Sequence, residues 1–81
     1  MQQNHFIVCG LGRFGLCITE LLREAGKSVV VITSDTCPQD RRDRAEASGA
    51  RVVLGDFRIA SVRVKAEIST AAAIILTTSQ D

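Results

Sequence analysis

Residues 8–15 read VCGLGRFG and hold three of the six glycines of an 81-residue chain. The three stand at positions 10, 12 and 15, which is the spacing G-x-G-x-x-G. That spacing is weak evidence by itself, and it gains meaning when a strand precedes it and a helix follows it. The sequence on either side of the glycines therefore decides what they do.

A strand and a helix are predicted on the two sides of the glycines. His5–Cys9 is a continuous apolar run, typical of a strand buried on both faces. Apolar residues then recur at spacings of three and four, which predicts an amphipathic helix over Arg13–Ala25 that stops at Gly26. The apolar positions of this helix are Phe14, Cys17, Ile18, Leu21 and Leu22. The glycines thus lie in the context of a dinucleotide-binding turn.

The same alternation of strand and helix continues to the end of the chain. Further strands are predicted at Ser28–Thr33, Arg51–Leu54 and Ala72–Thr78, and helices at Gln39–Ser48, with Pro38 suited to its first position, and within Ile59–Ile68. This order predicts one α/β domain over residues 1–81, with a parallel sheet, flanking helices and right-handed crossovers. The usual doubly wound strand order for four such strands is 3-2-1-4.

Each glycine of the turn has a predicted role. Gly10 permits the tight turn, Gly12 lets a pyrophosphate approach the backbone, and Gly15 allows the helix to pack closely on the strand. Free backbone N–H groups and the partial positive charge at the helix N-terminus supply the anion site. Arg13 either reaches a phosphate oxygen or is a solvated surface cation.

Composition and the remaining reactive residues exclude several classes of function. The net charge of +1 favours neither a nucleic acid nor a membrane surface as partner, and no apolar run is long enough for a membrane span. The first residues lack a secretory signal, so we expect a cytoplasmic protein. Cys9, Cys17 and Cys37 show no metal-binding spacing and are expected to be buried, reduced thiols. The single histidine, His5, gives no metal or catalytic site, and the lack of tyrosine excludes tyrosine-dependent dehydrogenases.

Four segments together resemble a known family. HFIVCGLGRFG, VVVIT, VVLGDFRIASV and AAAIILTTSQD, spread over His5–Asp81, are similar to the nucleotide-binding lobe of KTN or RCK domains, the TrkA N-terminal type. Such domains regulate potassium channels and potassium-uptake systems. The resemblance implies a Rossmann fold that binds NAD(H), ATP or ADP, assembles into dimers or rings, and is not generally an enzyme.

The resemblance also assigns binding roles to individual residues. The phosphate loop corresponds to Gly10, Gly12, Arg13, Phe14 and Gly15. Asp56 matches an aspartate that accepts a hydrogen bond from the adenine amino group, with the backbone of Phe57 alongside. Thr77 and Thr78 match the end of the fourth strand, beside the phosphates and the proximal ribose. On residue chemistry alone, Asp56 is equally readable as a turn aspartate and the threonines as ordinary strand residues.

One departure from the family concerns the ribose. The acidic residue that usually ends the second strand is replaced by Thr33, and the nearest carboxylate, Asp35, comes two residues late. Thr33 or Ser34 remains able to bond a ribose hydroxyl. Arg41 or Arg42 either faces a 2′-phosphate, as in NADP(H) sites, or solvates the outer face of its helix.

The sequence leaves three functions open. The resemblance favours a nucleotide sensor whose partner is the membrane subunit of a potassium channel or transporter. The alternative is the cofactor-binding half of an NAD(P)-dependent oxidoreductase, and a third is a truncated remnant that binds nothing. Family lobes carry further strands, whereas this chain stops after the fourth, which has neither charge nor proline to protect its edge. We therefore expect self-association.

Overall fold

A computed structural model describes residues 5–77 as one parallel four-stranded sheet with helices on both faces. The strands are β1 (His5–Cys9), β2 (Val29–Thr33), β3 (Arg51–Leu54) and β4 (Ala71–Leu76). The helices are α1 (Arg13–Glu24), α2 (Gln39–Ala47) and α3 (Ala60–Lys65), and a single 3-10 turn spans Ile68–Thr70. The strand order β3-β2-β1-β4 confirms the predicted Rossmann-like α/β topology.

The core lies on both faces of the two central strands. All five residues of β2 are buried, as are four of the five in β1, which explains why both read as continuous apolar runs. One cluster packs under α3 and comprises Ile7, Cys9, Val30, Ile32, Val53, Val62 and Ala66. The other packs under α1 and α2 and comprises Val8, Leu11, Leu16, Val29, Val31, Ala45 and Ala50.

The face of α1 that packs on the sheet agrees with the predicted one only in part, at Ile18 and Leu22, which pack against the core. Its buried residues are Gly15, Leu16 and Thr19, whereas Phe14 is 64% and Leu21 59% exposed. The cause is the contact between Gly15 and the preceding turn, described below, which fixes the rotation of the helix about its axis. The Thr19 hydroxyl donates to the Gly15 carbonyl at 2.8 Å and stays on the same buried side.

Several element boundaries also differ from the predictions. β2 begins at Val29 instead of Ser28, and β4 covers Ala71–Leu76 instead of Ala72–Thr78. Pro38 precedes α2 as an extended cap residue, with φ −55° and ψ 138°, and is not its first helical residue. The short helix predicted within Ile59–Ile68 is confirmed as α3, and the left-handed conformation of Glu67, at φ 58°, follows its end at Lys65.

β4 forms one edge of the described sheet. It pairs in parallel with β1 from Phe6–Ala73 to Cys9–Leu76, and the register shifts between His5 and Phe6. Ile74 is 41% and Leu76 70% exposed, so this edge is apolar and open within residues 5–77. Over the same residues, no helix combines the length and apolar character needed to cross a bilayer.

Candidate nucleotide-binding site

A cavity of about 740 Å³ opens at the carboxyl ends of the four parallel strands. Its wall consists of strand ends and the loops that follow them: Cys9, Gly10, Leu11, Gly12, Ile32, Thr33, Ser34, Asp35, Thr36, Cys37, Pro38, Arg41, Leu54, Gly55, Asp56, Phe57 and Thr77. The chain runs from β1 outward to β3 and then returns to place β4 on the other side of β1. The cavity therefore lies where ligands bind in open α/β sheets, at the point where the strand order reverses.

The glycine turn is held by close backbone contacts. Gly10 has φ +103°, a conformation that favours glycine, and its N–H donates to the Ile32 carbonyl at 2.8 Å. A Cβ at Gly10 would lie 2.5 Å from the Thr77 carbonyl oxygen. A Cβ at Gly15 would overlap the Gly10 carbonyl oxygen. Both glycines thus let α1, the turn and the end of β4 approach one another closely.

Thr77 fastens the end of β4 to this turn. Its N–H donates to the Cys9 carbonyl at 3.0 Å. Its hydroxyl lies 3.0 Å from the same oxygen and 2.9 Å from the Gly10 carbonyl oxygen, and donates to them. Thr77 therefore fixes the shape of the turn as well as lining the cavity.

The N-terminus of α1 starts at the cavity wall. Gly12 is the N-cap residue, with φ −79° and ψ −167°, and its carbonyl accepts the Leu16 N–H at 2.9 Å. Among the described residues no side chain caps this helix, and its first turn contains no acidic residue. The positive end of the helix dipole is therefore not offset by a carboxylate in that turn, as suits an anion site.

Three hydroxyl residues line the cavity at the end of β2 and in the turn that follows it. Thr33 is 7% exposed, and its carbonyl accepts the Gly55 N–H at 2.8 Å. Beyond it, Ser34 Oγ and Thr36 Oγ1 lie 2.9 Å apart, and Ser34 Oγ accepts the Thr36 N–H at 3.1 Å. This tight turn presents Ser34, the exposed Asp35 and Thr36 to the cavity.

The arginines of α2 have different environments. Arg41 lines the cavity, whereas Arg42 does not and its Nε is buried without a hydrogen-bond partner in the described part of the chain. Arg44 points to α1, where its Nη2 lies 3.0 Å from Glu20 Oε2. Of the two arginines predicted to approach a 2′-phosphate, the structure brings Arg41 to the site.

Asp56 lines the cavity at the end of β3 and is paired with Arg58. Its Oδ1 accepts the Arg58 N–H at 2.8 Å, and its Oδ2 lies 2.8 Å from Arg58 Nη2. The side-chain hydrogen bond from Arg58 is the main reason that the pKa of Asp56 falls from 3.8 to about 2. Asp56 is thus a turn aspartate that bonds its own backbone, and it is also a fully ionised acceptor at the cavity wall.

The structure brings together most of the residues that the sequence assigned to the site. Those that line the cavity are Gly10, Gly12, Thr33, Ser34, Asp56, Phe57 and Thr77. Arg13 and Phe14 are exposed at the start of α1 and Gly15 is buried behind the turn, all three outside the wall. Thr78 lies outside the described residues. The sequence analysis did not predict that Thr36, Cys37 and Pro38 line the cavity. Their position in the loop that follows β2 could have indicated it, because such loops surround the ligand site of a parallel sheet.

Two of the cysteines, Cys9 and Cys37, line the cavity, whereas Cys17 and His5 do not. Cys9 is buried, and burial raises the pKa of its thiol; Cys37 is half-buried. Cys17 is exposed on α1, so its predicted burial is wrong. His5 is buried and its Nε2 lies 2.9 Å from the Ala66 carbonyl oxygen, away from the cavity. Residues 5–77 contain no group of three or more potential metal ligands.

These features define a class of protein: a Rossmann-type α/β domain with a cavity at the carboxyl edge of its sheet. The family model of the TrkA-N domain matches residues 6–81, and the chain belongs to this family. Domains of this family bind nucleotides and often occur in regulators of potassium transport. No curated protein matches the chain.

Proposed function

We propose that this chain is the nucleotide-sensing domain of a potassium channel or potassium-uptake regulator, and that it binds NAD(H) or another adenine nucleotide. The observation that carries the proposal is the cavity itself, because it joins the glycine turn at Gly10–Gly12 to the ends of all four strands. Its volume of about 740 Å³ lies within the usual range of roughly 300–1,000 Å³ for ligand sites.

The wall suggests how the ligand lies. The phosphates face the turn at Gly12, where α1 begins and a backbone without Cβ permits close approach. The adenosine ribose lies at Ser34, beyond the end of β2. The adenine lies at Asp56, whose ionised carboxylate only accepts hydrogen bonds and so suits the adenine amino group.

The shifted pKa values of two groups in the wall, Asp56 and Cys9, support a role in binding and not in catalysis. The pKa of Asp56 is displaced to about 2 and that of Cys9 is raised, so both move away from neutrality. A general acid or base works best with a pKa near the operating pH. The histidine is held against Ala66 outside the wall. We therefore propose a cytoplasmic sensor in preference to half of an oxidoreductase.

A sensor of this kind acts through partners. The apolar edge at β4, with Ile74 and Leu76 exposed, suits pairing with a strand of a second copy or of the membrane subunit. Thr77 joins this edge to the glycine turn. A ligand at the turn and a partner at the edge would then contact the same connected unit.

Calorimetric titration of the full chain with NADH, NAD, ATP and ADP tests the binding proposal. We expect at least one of them to bind and Gly12→Val to abolish that binding, because the valine side chain would occupy the space of the phosphates. Gly26→Asn is the matched control, since Gly26 has open space around it and asparagine tolerates its φ of +82°. Binding by folded Gly12→Val as tight as that of the parent would contradict the proposal.

The role in potassium transport needs a separate measurement. Potassium uptake is compared in cells that encode the parent chain and in cells that encode Gly12→Val, with Gly26→Asn as control. A regulator predicts altered uptake in the first variant alone. Equal uptake in all three, with nucleotide binding intact in the parent, would favour the oxidoreductase instead.

A further inference from the structure

The wall at the end of β2 contains several hydrogen-bond donors. Ser34 Oγ and Thr36 Oγ1 lie 2.9 Å apart in one turn, and Arg41 lines the same cavity from the first turn of α2. Because one of the two hydroxyls donates to the other, one O–H and the guanidinium N–H groups remain as donors to a single region of the ribose site. Such a group of donors suits an anionic ligand.

The usual NAD site has the opposite chemistry at this place. A carboxylate there accepts hydrogen bonds from the ribose hydroxyls and repels a 2′-phosphate. Here the position is held by Thr33, which is neutral and 7% exposed, and whose carbonyl is bonded to the Gly55 N–H. The last residue of β2 therefore provides no charge against a phosphate.

Among the described residues, Arg41 differs from Arg44 and Arg58 in that its side chain has no hydrogen-bond or ion-pair partner. Arg44 is paired with Glu20 and Arg58 with Asp56, each within 3.0 Å. No hydrogen bond or ion pair joins the Arg41 side chain to another residue between 5 and 77. A guanidinium remains charged at all relevant pH values and binds phosphate oxygens in a bidentate manner.

One carboxylate of this region opposes a phosphate. Asp35 is exposed and lies in the turn between the two hydroxyl residues. The other carboxylate of the wall, Asp56, lies at the end of β3 and forms an ion pair with Arg58. Asp35 and Arg41 thus carry opposite charges at the ribose end, and the one hydroxyl proton not used between Ser34 and Thr36 adds a donor that favours the phosphate.

We propose that the ribose site binds a 2′-phosphate, so that the preferred ligand is NADP(H), and that Arg41 is the residue that determines this specificity. The hydroxyl of Ser34 or Thr36 that does not donate to the other donates to the same phosphate. This inference rests on the proposed nucleotide-binding function and names the ligand class of that site.

The test is calorimetric titration of the full chain with NADPH and with NADH. NADH lacks the 2′-phosphate and therefore the charged hydrogen bonds that this phosphate makes. We expect NADPH to bind at least about tenfold more tightly than NADH. Arg41→Gln should remove this preference by weakening NADPH binding more than NADH binding, and the circular dichroism spectrum of the variant should show that it is folded. Arg44→Gln, the same charge change on the same helix outside the cavity, should retain it.

The outcomes separate the two proposals. Binding of neither dinucleotide and of no adenine nucleotide would overturn the proposed function and this inference with it. Binding of NADH as tight as or tighter than NADPH would overturn the inference alone. A preference for NADPH that survives Arg41→Gln would overturn the assignment of specificity to Arg41.

Discussion

Gly15→Ala sets two opposing effects against each other at one position of α1. Alanine has a higher helix propensity than glycine, worth about 1 kcal/mol in a helix interior. The added Cβ, however, would overlap the Gly10 carbonyl oxygen and lie 3.1 Å from Thr77 Oγ1. The first effect stabilises the fold, the second destabilises it, and their sizes decide the sign.

The clash should prevail. Overpacking in a well-packed core costs about 1–3 kcal/mol, and the upper end applies because a backbone oxygen cannot rotate away as a flexible side chain can. Subtracting a helix-propensity gain of about 1 kcal/mol leaves a net loss of about 2 kcal/mol in the free energy of unfolding. For a domain of this size that loss corresponds to a fall in Tm of about 8–16 °C.

Urea denaturation and thermal unfolding of the full chain measure this loss directly. Gly26→Asn serves as control, and its stability should remain within about 0.5 kcal/mol of the parent, because no atom lies within 4 Å of the added Cβ. Relief of the clash must also move α1 away from the turn, so the variant should bind nucleotide more weakly. A Gly15→Ala variant as stable as the parent would refute the close approach of α1 to the turn.

Three further predictions concern the cavity and the sheet edge. Thr33→Asp should move preference from NADPH toward NADH by placing a carboxylate at the end of β2, and unchanged relative affinities in calorimetry would show that another group controls the ribose site. Carbon NMR should give Asp56 a pKa of about 2, which should rise toward 3.8 in Arg58→Ala. Because the pKa is lowered in the folded state, the Asp56–Arg58 pair stabilises the fold at neutral pH and loses this effect as the pH falls from about 4 to 2. A pKa of Asp56 near 3.8 in the parent would rule the pair out. In sedimentation equilibrium at micromolar concentrations the parent should self-associate and Ile74→Lys should not. The control Val64→Lys, which changes an exposed residue of α3, should behave as the parent does. A monomeric parent would contradict the open edge at β4.

The sheet was predictable because its strands are short, apolar and regularly separated. β1 and β3 have the predicted bounds, and the strand order follows from the usual topology of such alternation. The face of α1 was only partly predictable from periodicity, which places Ile18 and Leu22 correctly. Phe14 and Leu21 fit an apolar helical stripe as well as Leu16 does, but Gly15 contacts Gly10, a tertiary contact that turns both of them outward.

The sequence does not show which arginine of α2 reaches the cavity, although the position of Ala45 reduces the number of candidates. α2 is strongly charged, so its apolar residues do not define a face, and any of its arginines fits a solvated surface. Its one buried residue is Ala45, and residues three and four positions earlier lie on the same side of a helix. By this spacing, Arg41 and Arg42 lie on the same side of α2 as Ala45, and Arg44 lies on another side. The choice between the two depends on the path of the turn from Ser34 to Pro38, which places the first turn of α2 at the cavity and brings Arg41 into its wall.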